Sequence, residues 1–176
     1  MIPSNSRPML FGTSLHWVLA WTLAPLAAAA LAPSPVLAQE KPVNLALVTP
    51  IQIFPAETAI KGVRLNLIYG RNAALTGLDL GIANHVTGEG KGVQWGLVNL
   101  SGSFVGWQSG WVNVSEQEFE GLQWGLVNSA GRINGLQLAF VNYAKRANGI
   151  QIGLVNIIKE GGQFPFMVIA NWGFEN

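Results

Sequence analysis

The chain has 176 residues with 10 Lys and Arg against 9 Asp and Glu, and only 11% of it is charged, where about a quarter is typical of soluble domains. A formal net charge of +1 excludes a broad electrostatic attraction to nucleic acid or anionic lipid. The absence of cysteine excludes a disulfide framework.

Residues 1–38 carry Arg7 as their only charge, then an apolar run from Trp17 to Leu31, then the Pro-rich APSPVLA ahead of the first acid, Glu40. This order predicts a secretory signal peptide cleaved after Ala38, with Val36 and Ala38 at the small-residue positions. A membrane anchor is the alternative. Pro25 and the brevity of the apolar run disfavour it, since a helical span needs roughly 20 residues. Loss of Arg7 with the leader makes the remaining chain, 39–176, formally neutral.

Residues 39–62 are expected to form an N-terminal cap. Within them NLALVTPIQIFPA (44–56) is strand-like but interrupted by Pro50. Residues 63–162 then hold seven repeat units, beginning at Val63, Leu78, Val93, Trp107, Leu122, Leu136 and Ile150 with spacings of 14 or 15. The units are clearest as GVQWGLVN (92–99), GLQWGLVN (121–128) and GIQIGLVN (149–156). Positions one, three and five are nearly always large and apolar. Position two reads Arg64, Asp79, Gln94, Gln108, Gln123, Gln137 and Gln151. Position four reads Asn66, Gly81, Gly96, Gly110, Gly125, Ala139 and Gly153, and position seven is Asn84, Asn99, Asn113, Asn128, Asn142 or Asn156 from the second unit on. Alternation with period two argues for strands. The Asn and the turn-like residues after it argue for a return of the chain in every unit. Residues 163–176, with the aromatic FPFMVIANWGF and no repeat Gln, are expected to be a C-terminal cap strand.

Two architectures use such a unit. An antiparallel meander or small barrel places odd and even turns at opposite ends, so its sequence should alternate every two units. The repeat does not alternate. A β-solenoid makes every unit one coil and stacks like on like, which suits uniform columns of Gln, Gly, Val and Asn. The expectation is an all-β solenoid-like stack of about seven coils of 14–15 residues with terminal cap strands, and the barrel or meander is the alternative. On the usual rule the apolar positions face the core and the Gln–Gly–Val face is exposed. Phe104, Phe119, Ile133 and Ala147, shortly before each closing glycine, mark a corner, because Ile133 is out of phase with Leu136.

Units of the form GLQIGLVN, preceded by RLNLIYGRNAALTGLDLGIAN and closed by an aromatic NWGF ending, resemble the uncharacterised bacterial surface-repeat proteins of leptospiral type. The resemblance covers roughly residues 43–174. It implies export and a variable number of stackable units. That family carries no established activity or catalytic residue, so no site is transferred. The chain departs from the pattern at Ser109 and Ala139.

Chemistry-bearing groups are sparse. His85, the single histidine after the leader, is expected to be a solvated turn residue. Ser101, Ser103, Ser109, Ser115 and Ser129 lie in or beside turns and none is in a G-x-S-x-G elbow. GEGKG (88–92) lacks the Walker spacing and leads into a strand. SEQEFEG (115–121) reads as a solvated acidic turn and not a calcium loop. Asn99 and Asn113 match glycosylation sequons but belong to the repeat. Arg64 and Asp79 replace Gln in adjacent units and are candidates for an ion pair that sets register. The sequence therefore predicts no catalytic, cofactor or metal residue. It predicts an exported, non-enzymatic cell-envelope protein whose partner is an unidentified envelope component, the outer membrane or a second copy. A small outer-membrane barrel is the alternative.

Overall fold

A computed structural model describes residues 40–174; the expected signal peptide lies outside the described residues. Nine strands follow one another: β1 (Lys41–Val48), β2 (Ile51–Gln52), β3 (Ala59–Asn72), β4 (Ala74–Trp95), β5 (Val98–Ser109), β6 (Val112–Trp124), β7 (Val127–Leu138), β8 (Val141–Glu160) and β9 (Phe166–Gly173). They pair in the order β2-β1-β3-β4-β5-β6-β7-β8-β9. β1 and β3 to β8 are parallel neighbours. Only β2 and β9 are antiparallel, one at each end. The chain is a β-solenoid of about seven turns. The linear order and parallel pairing set aside the antiparallel barrel.

Like residues stack on like. Asn99 pairs with Asn113 and Gln108 with Gln123, then Asn113 with Asn128 and Gln123 with Gln137. Where a unit has 15 residues, the extra one is taken up outside these columns. The register shifts between Ser115 and Glu118 but not between β7 and β8, where every partner is 14 residues away. Gly121 shows why the coil must close on glycine. Its φ of 123° is unfavourable for an L side chain, and a Cβ there would drive into the Gly106 carbonyl oxygen.

The expectation that Gln faces water and the apolar positions face the core is reversed. Gln94, Gln108, Gln123, Gln137 and Gln151 are 0% exposed, while Trp95, Trp111 and Trp124 are 65%, 61% and 56% exposed. Burying an unpaired amide is costly, but strands about 4.8 Å apart put each amide within reach of its copy above and below. Stacking therefore removes the reason to keep Gln outside. The expected apolar corner does lie inside: Phe104, Phe119, Ile133 and Ala147 are buried with Ala130, Ala144 and Ile158, and Phe104 and Phe119 stack with ring planes 5° apart.

Candidate interaction surface

Two amide ladders run along the axis. In one, Gln108 Nε2 donates to Gln94 Oε1 at 2.8 Å, Gln123 to Gln108 at 2.8 Å, Gln137 to Gln123 at 2.6 Å and Gln151 to Gln137 at 2.7 Å. In the other, Asn66 donates to Asn84 and the bonds continue through Asn99, Asn113, Asn128 and Asn142 to Asn156, at 2.8–3.1 Å. Glutamine amides donate toward the N-terminal end and asparagine amides toward the C-terminal end, so the two rows of dipoles oppose each other. The second asparagine N–H binds a backbone carbonyl at the adjacent corner, as Asn113 does to Trp124 O at 2.9 Å. Ser101 and Ser115 bond each other at 2.8 Å and bridge to Gln108.

Arg64 and Asp79 meet at the N-terminal end of the glutamine ladder. Both side chains are fully buried. Arg64 Nε and Nη2 donate to the two carboxylate oxygens at 2.8 and 2.6 Å, and Nη1 donates to Asn72 Oδ1 and His85 O, both at 3.1 Å. Asp79 also accepts from Asn66 at 3.1 Å and Gln94 at 2.9 Å. His85 sits on strand β4 and not in a solvated turn. It is half-buried, with Nδ1 2.8 Å from the Tyr69 hydroxyl. Burial, reinforced by the Arg71 cation, holds its pKa below the ordinary 6.5.

The other chemistry-bearing candidates do not converge. Among the described residues no group of His, Cys, Asp and Glu could hold a metal ion. Glu116, Glu118 and Glu120 are exposed, as expected, but they lie on strand β6 and not in a turn. Asn99 and Asn113, at the sequons, are fully buried with their amides engaged in the ladder. In GEGKG, Gly90 opens the space occupied by the Phe104 ring.

The outer surface of the coil carries the site. Position-four residues Gly81, Gly96, Gly110 and Gly125 floor an open groove of about 730 Å³. One wall is Leu80, Trp95 and Trp124, and the other is Ile82, Leu97, Trp111 and Leu126. The floor is tight at Gly110, where a Cβ would press on the Gly96 carbonyl and the Asn99 amide, although Ala139 shows that the column admits an alanine. The groove continues for about 440 Å³ past Ala139, Phe140, Gly153 and Leu154 to Ile169 of β9. Five coil steps separate Gly81 from Gly153, a length of about 24 Å. Ser109 interrupts the wall, and Trp95, Trp107 and Trp124 surround the notch of about 310 Å³ that it leaves.

Charge lies elsewhere. From Gly92 to Ser115, 121 to 131, 133 to 144 and 147 to 158 there is no charged residue. The charges of those coils gather on strand segments half a coil away: Glu89 and Lys91 of β4, Glu116, Glu118 and Glu120 of β6, Arg132 of β7, and Lys145, Arg146, Lys159 and Glu160 of β8. The turn-like return expected after each asparagine is therefore strand, and the chain bends at the groove instead, at 96–97, 110–111, 125–126 and 139–140. The tryptophans of the repeat stand at apolar positions, which the usual rule places in the core and the structure places outside. Tyr69 and Ile169 carry no sequence signal for the places they take. Comparison of the chain with protein-family models, with curated proteins and with solved structures finds no match.

Proposed function

We propose that the chain is an exported, non-enzymatic protein of the bacterial cell envelope whose solenoid is a scaffold for interaction. The observation that carries this reading is the segregation of the surface. A tryptophan-walled groove with no charge runs along one side of the stack, and the charged strand segments lie half a coil away from it. An apolar surface of this extent marks an interaction site. The signal-like order of residues 1–38 and the resemblance of the repeat phrase to surface-repeat proteins support export. The opposed caps β2 and β9 disfavour open-ended stacking of copies, so any self-association would use the side of the solenoid.

Fractionation of the producing cell tests the reading, together with the N-terminus of the recovered chain. The expected result is an envelope fraction and a mature chain beginning within a residue or two of Gln39. Recovery from the cytosol with Trp17–Leu31 retained would refute it.

A further inference from the structure

We propose that the groove corner is a bilayer-contacting surface, and that the solenoid lies in the plane of a membrane with the corner row from Ile82 to Leu154 immersed and the charged strand segments in water. This rests on the interaction reading above and names its partner.

The construction of each coil carries the inference. Beneath the charged strand segments the interior is apolar, formed by Phe104, Phe119, Ile133 and Ala147. That is the arrangement of a water-facing protein. Beneath the groove the order is inverted, with Trp and Leu outside and the asparagine ladder inside. Polar interior and apolar exterior is the arrangement used where lipid is the solvent. One coil therefore has a half suited to each solvent.

Hydrocarbon also demands that backbone polar groups be satisfied within the protein, and the corner meets that demand. Gly110 N donates to Trp124 O at 3.0 Å, Leu126 N to Trp111 O at 2.9 Å and Val141 N to Leu126 O at 3.0 Å. The Trp124 carbonyl receives Asn113 as well. In water these corner groups would have no need of a buried side-chain donor in every coil.

Charge complementarity selects the same partner. The corner is neutral over six coils, as a hydrocarbon region requires, and the strand segments with their mixed charges suit the aqueous side. A protein partner would be expected to meet a polar rim bearing Arg beside the apolar centre; this groove is lined by no charged residue, and its polar side-chain groups are the Ser109 hydroxyl and the tryptophan indole N–H groups, the latter suited to a headgroup boundary. The apolar band also runs across both caps. Leu45, Leu47 and Leu67 extend it at the N-terminal end. Ile169 closes the other end, 73% exposed and held at φ 73°, a conformation costly for a β-branched residue. A plane covers a band of that length more simply than a finite partner does. Immersion to about 5–10 Å would place the tryptophans at the headgroup boundary, where they are favoured.

The test is flotation of the mature chain recovered from the cell with phosphatidylcholine vesicles, at low and high salt, for the native chain and the variants Trp111→Asp and Leu126→Asp. Both replaced side chains are exposed, and circular dichroism checks that the strands persist. The native chain is expected to float, with no loss at high salt, because the contact is apolar. Each variant should float at least tenfold less. Val105→Asp, on an outward position away from the groove, should float like the native chain. A native chain that stays in the aqueous layer, or corner variants that float as well as it does, would overturn the inference. So would sedimentation as a dimer that the corner variants dissociate without any vesicle binding, since the corner would then belong to a second copy. An envelope protein that fails to float leaves the export reading standing, and a cytosolic one defeats that reading alone.

Discussion

Asp79 Oδ2 accepts a hydrogen bond from Gln94 Nε2 at 2.9 Å, and this contact orients the whole glutamine column. A carboxylate can only accept. Gln94 must therefore present its amide N–H to Asp79, which leaves its oxygen for Gln108, and the same choice passes through Gln123 and Gln137 to Gln151. At the far end the Gln151 oxygen has no partner. Arg64 balances the carboxylate at the near end, so the buried ion pair terminates a ladder as well as joining two coils.

Removal of one partner of this pair leaves a buried, uncompensated charge. Asp79→Ala and Arg64→Ala should each lower stability by about 3–5 kcal/mol. Arg64→Gln combined with Asp79→Gln extends the ladder with the residue used by five later coils, and should cost much less than the sum of the two single changes. Denaturant midpoints of the four chains check this; additive losses would show that the two residues do not act as a unit.

The asparagine ladder predicts unequal costs along the stack. Asn128 accepts from Asn113 and donates to Asn142, whereas Asn156 accepts from Asn142 and donates to backbone carbonyls of Gly153 and Met167. Asn128→Ala strands an asparagine on both sides, at roughly 1–3 kcal/mol for each buried group left unpaired. Its thermal midpoint should fall below that of Asn156→Ala, and equal midpoints would mean that the ladder bonds are not what holds the coils in register.

Glycine positions should separate into two classes. Gly121→Ala places a side chain at φ 123° against the Gly106 carbonyl, and should cost about 1–3 kcal/mol. Gly125→Ala should cost less, because Ala139 already occupies the same column in the next coil. Comparison of the two midpoints decides the point.

The period, the parallel stacking and the asparagine column were legible in the sequence because each depends only on identical residues recurring at coil spacing. Which face was inside was not legible from alternation alone. Alternation separates two faces, and hydrophobicity then places the apolar one inside, a step that fails once stacked amides satisfy one another. The clue was in the phase. Ile133 lies four residues from Gln137 and therefore on its face, and both are buried. Leu136, out of phase with Ile133, is on the other. The groove is hidden for the same reason, since hydrophobicity alone directs Trp95, Trp111 and Trp124 to the core. Tyr69 and His85 meet only because coils stack, which no local pattern announces.

His85 predicts a dependence on pH. Its folded pKa is lowered from 6.5 by burial and by Arg71, so the unfolded chain binds the proton first. Stability from this residue is complete above about pH 6.5 and is lost as the pH falls toward the folded value. The thermal midpoint should drop across that window, and His85→Phe should remove this part of the drop. A native midpoint insensitive to that change would show that His85 titrates alike in both states.

The reversed face is the central claim, and a chain without cysteine allows a direct test. Single variants Gln123→Cys and Trp124→Cys, purified in mild detergent, are exposed to a small soluble maleimide under native conditions. The Trp124→Cys thiol should react at the rate of a free thiol. The Gln123→Cys thiol should react orders of magnitude more slowly and catch up only in denaturant. Fast reaction at position 123 with protection at position 124 would contradict the account and return the tryptophans to the core.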